Sequence, residues 1–155
     1  MGRKIAVVGA GYVGLTTGAC LSHLGHDVTC IESNPDKIEM LSAGRIPISE
    51  PGLAEIVEEG LSSQRLRFTM DREEGVKDRE FIFLCVPTPQ DEDGSADLSY
   101  LVQAAAELKP YLQPGSIVIN KSTVPVGSTH IVADALDRPD VHVVCLLYTS
   151  DAADE

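Results

Sequence analysis

Short apolar runs rich in β-branched residues alternate along the chain with longer stretches whose apolar positions recur three and four residues apart. Lys4 to Val8 predicts a first strand, and Tyr12 to about Leu24, beyond a glycine turn, predicts a helix. Val28 to Glu32 reads as a second strand. Asn34-Pro35 then supplies an N-cap followed by proline at the first helical position, where its missing N–H costs no hydrogen bond, and opens a helix to about Ala43. A turn-rich stretch from Gly44 to Gly52 leads to a short helix ending near Gly60. Leu66 to Thr69 predicts a third strand and Phe81 to Val86 a buried fourth. Behind Asp97, a candidate cap, Leu98, Leu101, Val102, Ala105 and Leu108 recur at helical spacing. Ile117 to Lys121 reads as a fifth strand, Gly127 to Leu136 as a helix, and Val141 to Val144 as the start of a sixth strand.

Strands that alternate with helices pair in parallel, because each return crossover must be long enough to hold a helix and turns right-handed. The expected fold is therefore α/β, a Rossmann-like doubly wound parallel sheet with helices on both faces, formed by residues 1–144. The segment Cys145 to Glu155 breaks the pattern: an apolar start dissolves into a small, acidic end. Its back-translation resembles a transposon-end sequencing adapter read in frame. Residues 145–155 are accordingly expected to be a non-native tail, with the natural sequence running to about Val144.

Composition narrows the choice of partner. The 155 residues carry a formal charge of −12 and a pI near 4.6, a field that repels polyanions and argues against nucleic acid. The first apolar run is too short for a signal-peptide core or a membrane span, and Ala6 stands where a myristoylation signal needs Ser or Thr, so a cytoplasmic location without membrane contact is expected. Cys20, Cys30, Cys85 and Cys145 lack metal-ligand spacing, and three lie in apolar runs that suit buried thiols. His23, His26, His130 and His142 form no ligand motif. The acidic loop from Gln90 to Asp97 does not follow a calcium-loop pattern, and no metal is expected.

The chemistry concentrates at Gly9-Ala10-Gly11-Tyr12-Val13-Gly14. A glycine triplet alone is weak evidence, but this one follows a strand, opens a helix, and has Glu32 at the end of the next strand, 21 residues beyond Gly11. That spacing matches the roughly 20 of the dinucleotide-binding fingerprint. Gly9 permits the tight turn, Gly11 lets a pyrophosphate approach the backbone, and Gly14 lets helix and strand pack closely. The helix N-terminus offers free N–H groups and partial positive charge to the diphosphate. Glu32 should accept hydrogen bonds from the adenosine ribose, and its charge, with no arginine at Ser33 or Asn34, favours NAD over NADP. Val86 to Gln90 and Ser122 to Gly127 follow strands, where ligands of open parallel sheets bind; Thr88 and Thr123 offer hydroxyls there, beside prolines that stiffen both loops.

From Lys4 to Val144 the sequence resembles the UDP-glucose/GDP-mannose dehydrogenase family. The resemblance rests on the Gly-Tyr-Val-Gly turn with Tyr12 and Val13, on Glu32 to Lys37, and on Ser49-Glu50-Pro51-Gly52-Leu53. It also rests on Cys85-Val86-Pro87-Thr88-Pro89 and on Lys121-Ser122-Thr123-Val124-Pro125-Val126-Gly127. It implies that Lys37 reaches the cofactor's ribose or phosphate, that Val86, Thr88, Pro89 and Ser122 border the cofactor, and that Thr123 lies beside the nicotinamide and assists catalysis through a water. It further implies oxidation of a nucleotide sugar's C6 alcohol to a carboxylate with two NAD per turnover, in a homo-oligomeric full-length enzyme. The cysteine nucleophile, lysine and asparagine of that chemistry would lie downstream, so this stretch alone is expected to bind NAD and turn nothing over. UDP-glucose leads as substrate. Pro87, where N-acetyl-sugar members often carry proline, keeps UDP-N-acetyl sugars open beside GDP-mannose. A different Rossmann oxidoreductase and a stand-alone NAD-binding module also stay open.

Overall fold

The computed structural model describes residues 2–128 and 130–146. In chain order the elements are β1 (Lys4–Val8), α1 (Tyr12–His23), β2 (Asp27–Ile31), α2 (Pro35–Ser42), α3 (Leu53–Ser62), β3 (Leu66–Thr69), α4 (Arg72–Val76), β4 (Phe81–Leu84), α5 (Ser99–Leu108), β5 (Ile117–Asn120), α6 (His130–Leu136) and β6 (His142–Cys145). The six strands lie in the order β3-β2-β1-β4-β5-β6 and every pairing is parallel. The chain starts mid-sheet, winds to one edge, then crosses to β4 beside β1 and winds to the other. This is the doubly wound α/β sheet that the alternation predicts, with its topological switch between β1 and β4.

Both faces of the sheet are covered, so its strands are apolar on both sides. Along β1, Ile5 and Val7 face α1, α2 and α3 together with Leu15, Ala19, Leu41 and Val57. Ala6 and Val8 face the opposite layer, where Val76 of α4, Leu101 and Leu108 of α5 and Leu136 of α6 cover Ile82, Leu84 and Val118. Leu15, Leu84 and Leu101 are fully buried, and each contributes about 1.5–3 kcal/mol by leaving water.

Helix α1 turns a stripe of small buried residues, Gly14, Gly18 and Ser22, toward its neighbours. A methyl added at Gly18 would sit 2.7 Å from Cys30 Sγ. A methyl on Gly60 of α3 would in turn meet Ser22 Oγ at 2.8 Å. Small residues therefore set the spacing between this helix and its neighbours.

The structure shifts several sequence expectations. Asn34 caps α2 as expected, its side chain accepting from the backbone N–H groups of Asp36 and Lys37. Asp97 stands one residue before the N-cap, Leu98, and its carboxylate accepts from Ser99 N at 2.9 Å. Helix α4 has no counterpart in the sequence pattern; at five residues it is too short to show a period. Strand β2 spans Asp27–Ile31, leaving Glu32 just past its end. Buried thiols are found at Cys30 and Cys85, whereas Cys20 is exposed and Cys145 half-buried. The expected non-native tail lies outside the described residues from 147 onward; Cys145 completes β6, and Leu146 N donates to Asn120 O at 3.0 Å. Among the described residues no helix is long and apolar enough to cross a membrane.

Candidate functional site

The turns after β1, β2, β4 and β5 converge on a cleft of about 760 Å³ at the carboxyl end of the sheet. Its apolar lining includes Val8, Ile31, Val86 and Ala104, and the converging turns bring polar groups to its rim. Gly9, Gly11, Tyr12, Val13, Glu32, Lys37, Val86, Thr88, Ser122 and Thr123 all line it. Gly14 and Pro89 do not: Gly14 is buried beneath the turn, and the Pro89 carbonyl accepts from Asp97 N at 2.7 Å.

The three glycines divide into two kinds. Gly9 has φ +97°, a left-handed conformation, and a methyl there would stand 2.5 Å from Cys85 O. A methyl on Gly14 would fall 1.8 Å from Gly9 O. Both positions are fixed by the chain's contact with itself. Gly11 has φ −76°, ordinary for any residue, and a methyl there would meet nothing within 4 Å. The fold does not need glycine at that point, and what the missing side chain leaves is space at the cleft. Gly11 also caps α1 with no side-chain hydrogen bond, so first-turn N–H groups are left without a capping side chain.

Glu32 turns back over this loop. One carboxylate oxygen accepts from Ala10 N at 2.9 Å and the other from Asn34 N at 3.4 Å. Its own N–H donates to Thr69 O at 3.0 Å, which locks the end of β2 to the end of β3. The Asn34 cap accepts from Lys37 N at 3.3 Å and so starts α2 with Lys37 in its first turn, at the cleft. Across the switch point, buried Ser122 donates its hydroxyl to Val86 O at 2.8 Å, tying the loop after β5 to that after β4. The half-buried Thr88 and exposed Thr123 hang from these tied loops.

The Tyr12 hydroxyl donates to Glu50 at 3.0 Å, which joins the glycine turn to the loop before α3. Beside that carboxylate, the hydrogen bond and the negative charge both hold the Tyr12 hydroxyl above its ordinary pKa of 10.0. Burial pushes the Cys30 thiol up to about 12, with the Cys85 and Glu32 charges adding to it. Burial likewise pushes Cys85 up to about 11, against the opposite pull of Lys121. Neither sulfur is a nucleophile near neutral pH. Among the described residues no three His, Cys, Asp or Glu side chains are grouped to hold a metal.

Sequence reasoning missed one wall of the cleft. Arg72 at the start of α4, and Tyr100, Gln103, Ala104, Glu107 and Leu108 on one stripe of α5, also line it. Their helical spacing is legible, but the apolar stripe that faces the core dominates the pattern there.

Residues 3–144 match the UDP-glucose/GDP-mannose dehydrogenase family, NAD binding domain. The chain belongs to this family. Its cofactor is NAD, and the open approach at Gly11, the uncapped helix start and the Glu32 carboxylate fit a dinucleotide. The chain is similar to a UDP-glucose 6-dehydrogenase of Pseudomonas aeruginosa, 44% identical over 86% of the chain and 29% of that protein. It is similar to one of Rhizobium meliloti, 44% identical over 91% of the chain and 33% of that protein. Among solved structures, a UDP-glucose dehydrogenase from Pyrobaculum islandicum superposes with a TM-score of 0.82 at 37% identity, over 94% of this chain and 35% of that one. A UDP-D-ManNAc dehydrogenase from Pyrococcus horikoshii superposes at 0.84 with 33% identity, over 91% of this chain and 35% of that one. The chain thus spans about a third of the length of these nucleotide-sugar dehydrogenases.

Proposed function

We propose that this chain supplies the cofactor site of an enzyme that oxidises the C6 alcohol of a nucleotide sugar to a carboxylate, with UDP-glucose as the substrate. The observation that carries the reading is the cleft itself: the segments shared with the family, from Gly9 to Val13, Glu32 to Lys37, Val86 to Thr88 and Lys121 to Thr123, meet along its wall. Relatives named UDP-glucose 6-dehydrogenase at 41–44% identity support UDP-glucose as the proposed sugar.

Bound NAD accepts hydride; everything else here is positioning by the chain. The open backbone at Gly11, where α1 directs its N–H groups and positive end, would hold the diphosphate. Glu32, which here accepts from Ala10 N, would accept from the adenosine ribose hydroxyls, and its charge would turn away a 2′-phosphate. Lys37, in the first turn of α2 just beyond Glu32, would reach the ribose or phosphate. Val86 and Pro89 belong to the loop that shapes the nicotinamide side, and Ser122 borders the cofactor while holding that loop through Val86 O. Thr88 and Thr123 line that side of the cleft, and the Thr123 hydroxyl would order a water beside the reacting carbon.

NADH formation from UDP-glucose, UDP-N-acetylmannosamine and GDP-mannose by the enzyme that contains this domain tests the sugar. The expected result is the highest kcat/KM with UDP-glucose; a higher value with either other sugar removes that assignment. Pro87, at the cleft wall, favours the N-acetylated sugar as a second reading. The 155-residue chain alone, about a third of the length of these relatives, should form no NADH from any of the three.

A further inference from the structure

The glycine turn and Glu32 account for the diphosphate and the ribose, and they leave the part of the cleft farthest from the switch point unassigned. The dinucleotide's course is set by the sheet: diphosphate after β1, ribose after β2. Continuing outward in the same direction leads to the end of β3. Thr69 closes that strand, its carbonyl takes the Glu32 N–H at 3.0 Å, and Arg72 follows three residues later at the cleft wall.

Arg72 is held there by α5. Its Nε is ion-paired with one oxygen of Glu107, and the other oxygen accepts from Gln103 Nε2 at 2.9 Å. A weaker contact at 3.5 Å runs from its Nη1 to Met70 O. The side chains of Arg72 and Glu107 remain 35% and 32% exposed, so the pair is anchored yet open to a ligand. A tethered guanidinium presents a flat cationic face with little freedom left to lose, and such a face stacks on an aromatic ring.

From this placement we infer that Arg72, clamped by Glu107 and Gln103, is the wall against which the adenine ring of NAD packs. The inference rests on the family's cofactor and is independent of the sugar. Ala104, on the same stripe of α5, lines the cleft beside Arg72. Gln103 donates to Glu107 through its amide nitrogen, which leaves its amide oxygen to accept from an exocyclic amine such as that of adenine.

The test separates the two ends of the cofactor. The full chain is titrated with ADP-ribose, which carries the adenine, and with nicotinamide mononucleotide, which does not, while amide chemical shifts are followed by NMR. Arg72→Ala should weaken ADP-ribose about tenfold and leave nicotinamide mononucleotide unchanged. Glu107→Gln keeps shape and hydrogen bonding but loosens the tether, and should weaken ADP-ribose about threefold with the melting temperature held. Equal weakening of both ligands would make the cluster a mere tie between α4 and α5 and overturn the inference. So would undiminished ADP-ribose binding by either variant.

Discussion

On the β1–β3 side of the switch point the turn that enters the cleft is shaped by glycine backbone, and on the β4–β6 side two loops tied to each other carry Thr88 and Thr123 into it. The first side owes its shape to absent side chains: Gly9 and Gly14 close the turn on itself, and Gly11 leaves room above it. The second owes its shape to a present one, the buried Ser122 hydroxyl that bonds Val86 O. A site made by removing atoms tolerates no addition. One made by a hydrogen bond tolerates small changes and loses stability by degrees. That difference suits the division of labour proposed for the cofactor, since a diphosphate needs bare N–H groups whereas a reacting carbon needs placed hydroxyls.

The largest effect should come from Gly14→Ala, whose methyl would fall 1.8 Å from Gly9 O. Backbone must move, and a loss of roughly 3 kcal/mol or more is expected by urea unfolding. A wild-type midpoint would show that the turn yields after all. Gly11→Ala should separate binding from folding. Its methyl meets nothing, so the melting temperature should hold or rise, while NAD affinity by calorimetry falls about ten- to hundredfold. Equal affinity would mean that the diphosphate does not approach there.

On the other side, Ser122→Ala should cost about 1–2 kcal/mol by leaving the Val86 carbonyl short of a donor. Exposed Thr123→Val should change stability by less than about 0.5 kcal/mol. If the two variants unfolded alike, the contrast between a structural and a presented hydroxyl would collapse. The smallest effect lies at the joint between the glycine turn and the Glu50 loop. Tyr12 should ionise above pH 10.0, and Glu50→Gln should bring it back toward that value in its ring-carbon NMR titration. Because the folded pKa is the raised one, the stabilising contact is present below pH 10.0 and is lost as pH climbs through the higher midpoint. An unshifted midpoint in the unsubstituted chain would break the link.

How much of this was readable in the residues depends on whether a feature announces itself locally. The strands, the Asn34 cap and the fingerprint from Gly9 to Glu32 did, because each is a short-range pattern with a physical cause at one place in the chain. Helix α4 did not, since five residues with a glycine among them show neither period nor propensity. Arg72 went unseen because no motif surrounds it; its position comes from Glu107, 35 residues away. Ser122 was placed at the cofactor from its loop, but the direction of its hydroxyl, toward Val86 O, is set by how β4 and β5 pair and could not be read from spacing.

The stripe of Gly14, Gly18 and Ser22 along α1 bears on rates as much as on shape. Where Gly14 and Gly18 face the turn and β2, no side chain separates them from their neighbours, and the helix is seated directly on the turn it springs from. A dinucleotide bound at the proposed site would then meet a turn whose shape the glycines already set. Association should run near the unhindered collisional range, and variants should differ mainly in how long the cofactor stays. For the proposed oxidation, which would draw on two cofactor molecules in one cycle, a seat that fills and empties without refolding would keep exchange from limiting the cycle.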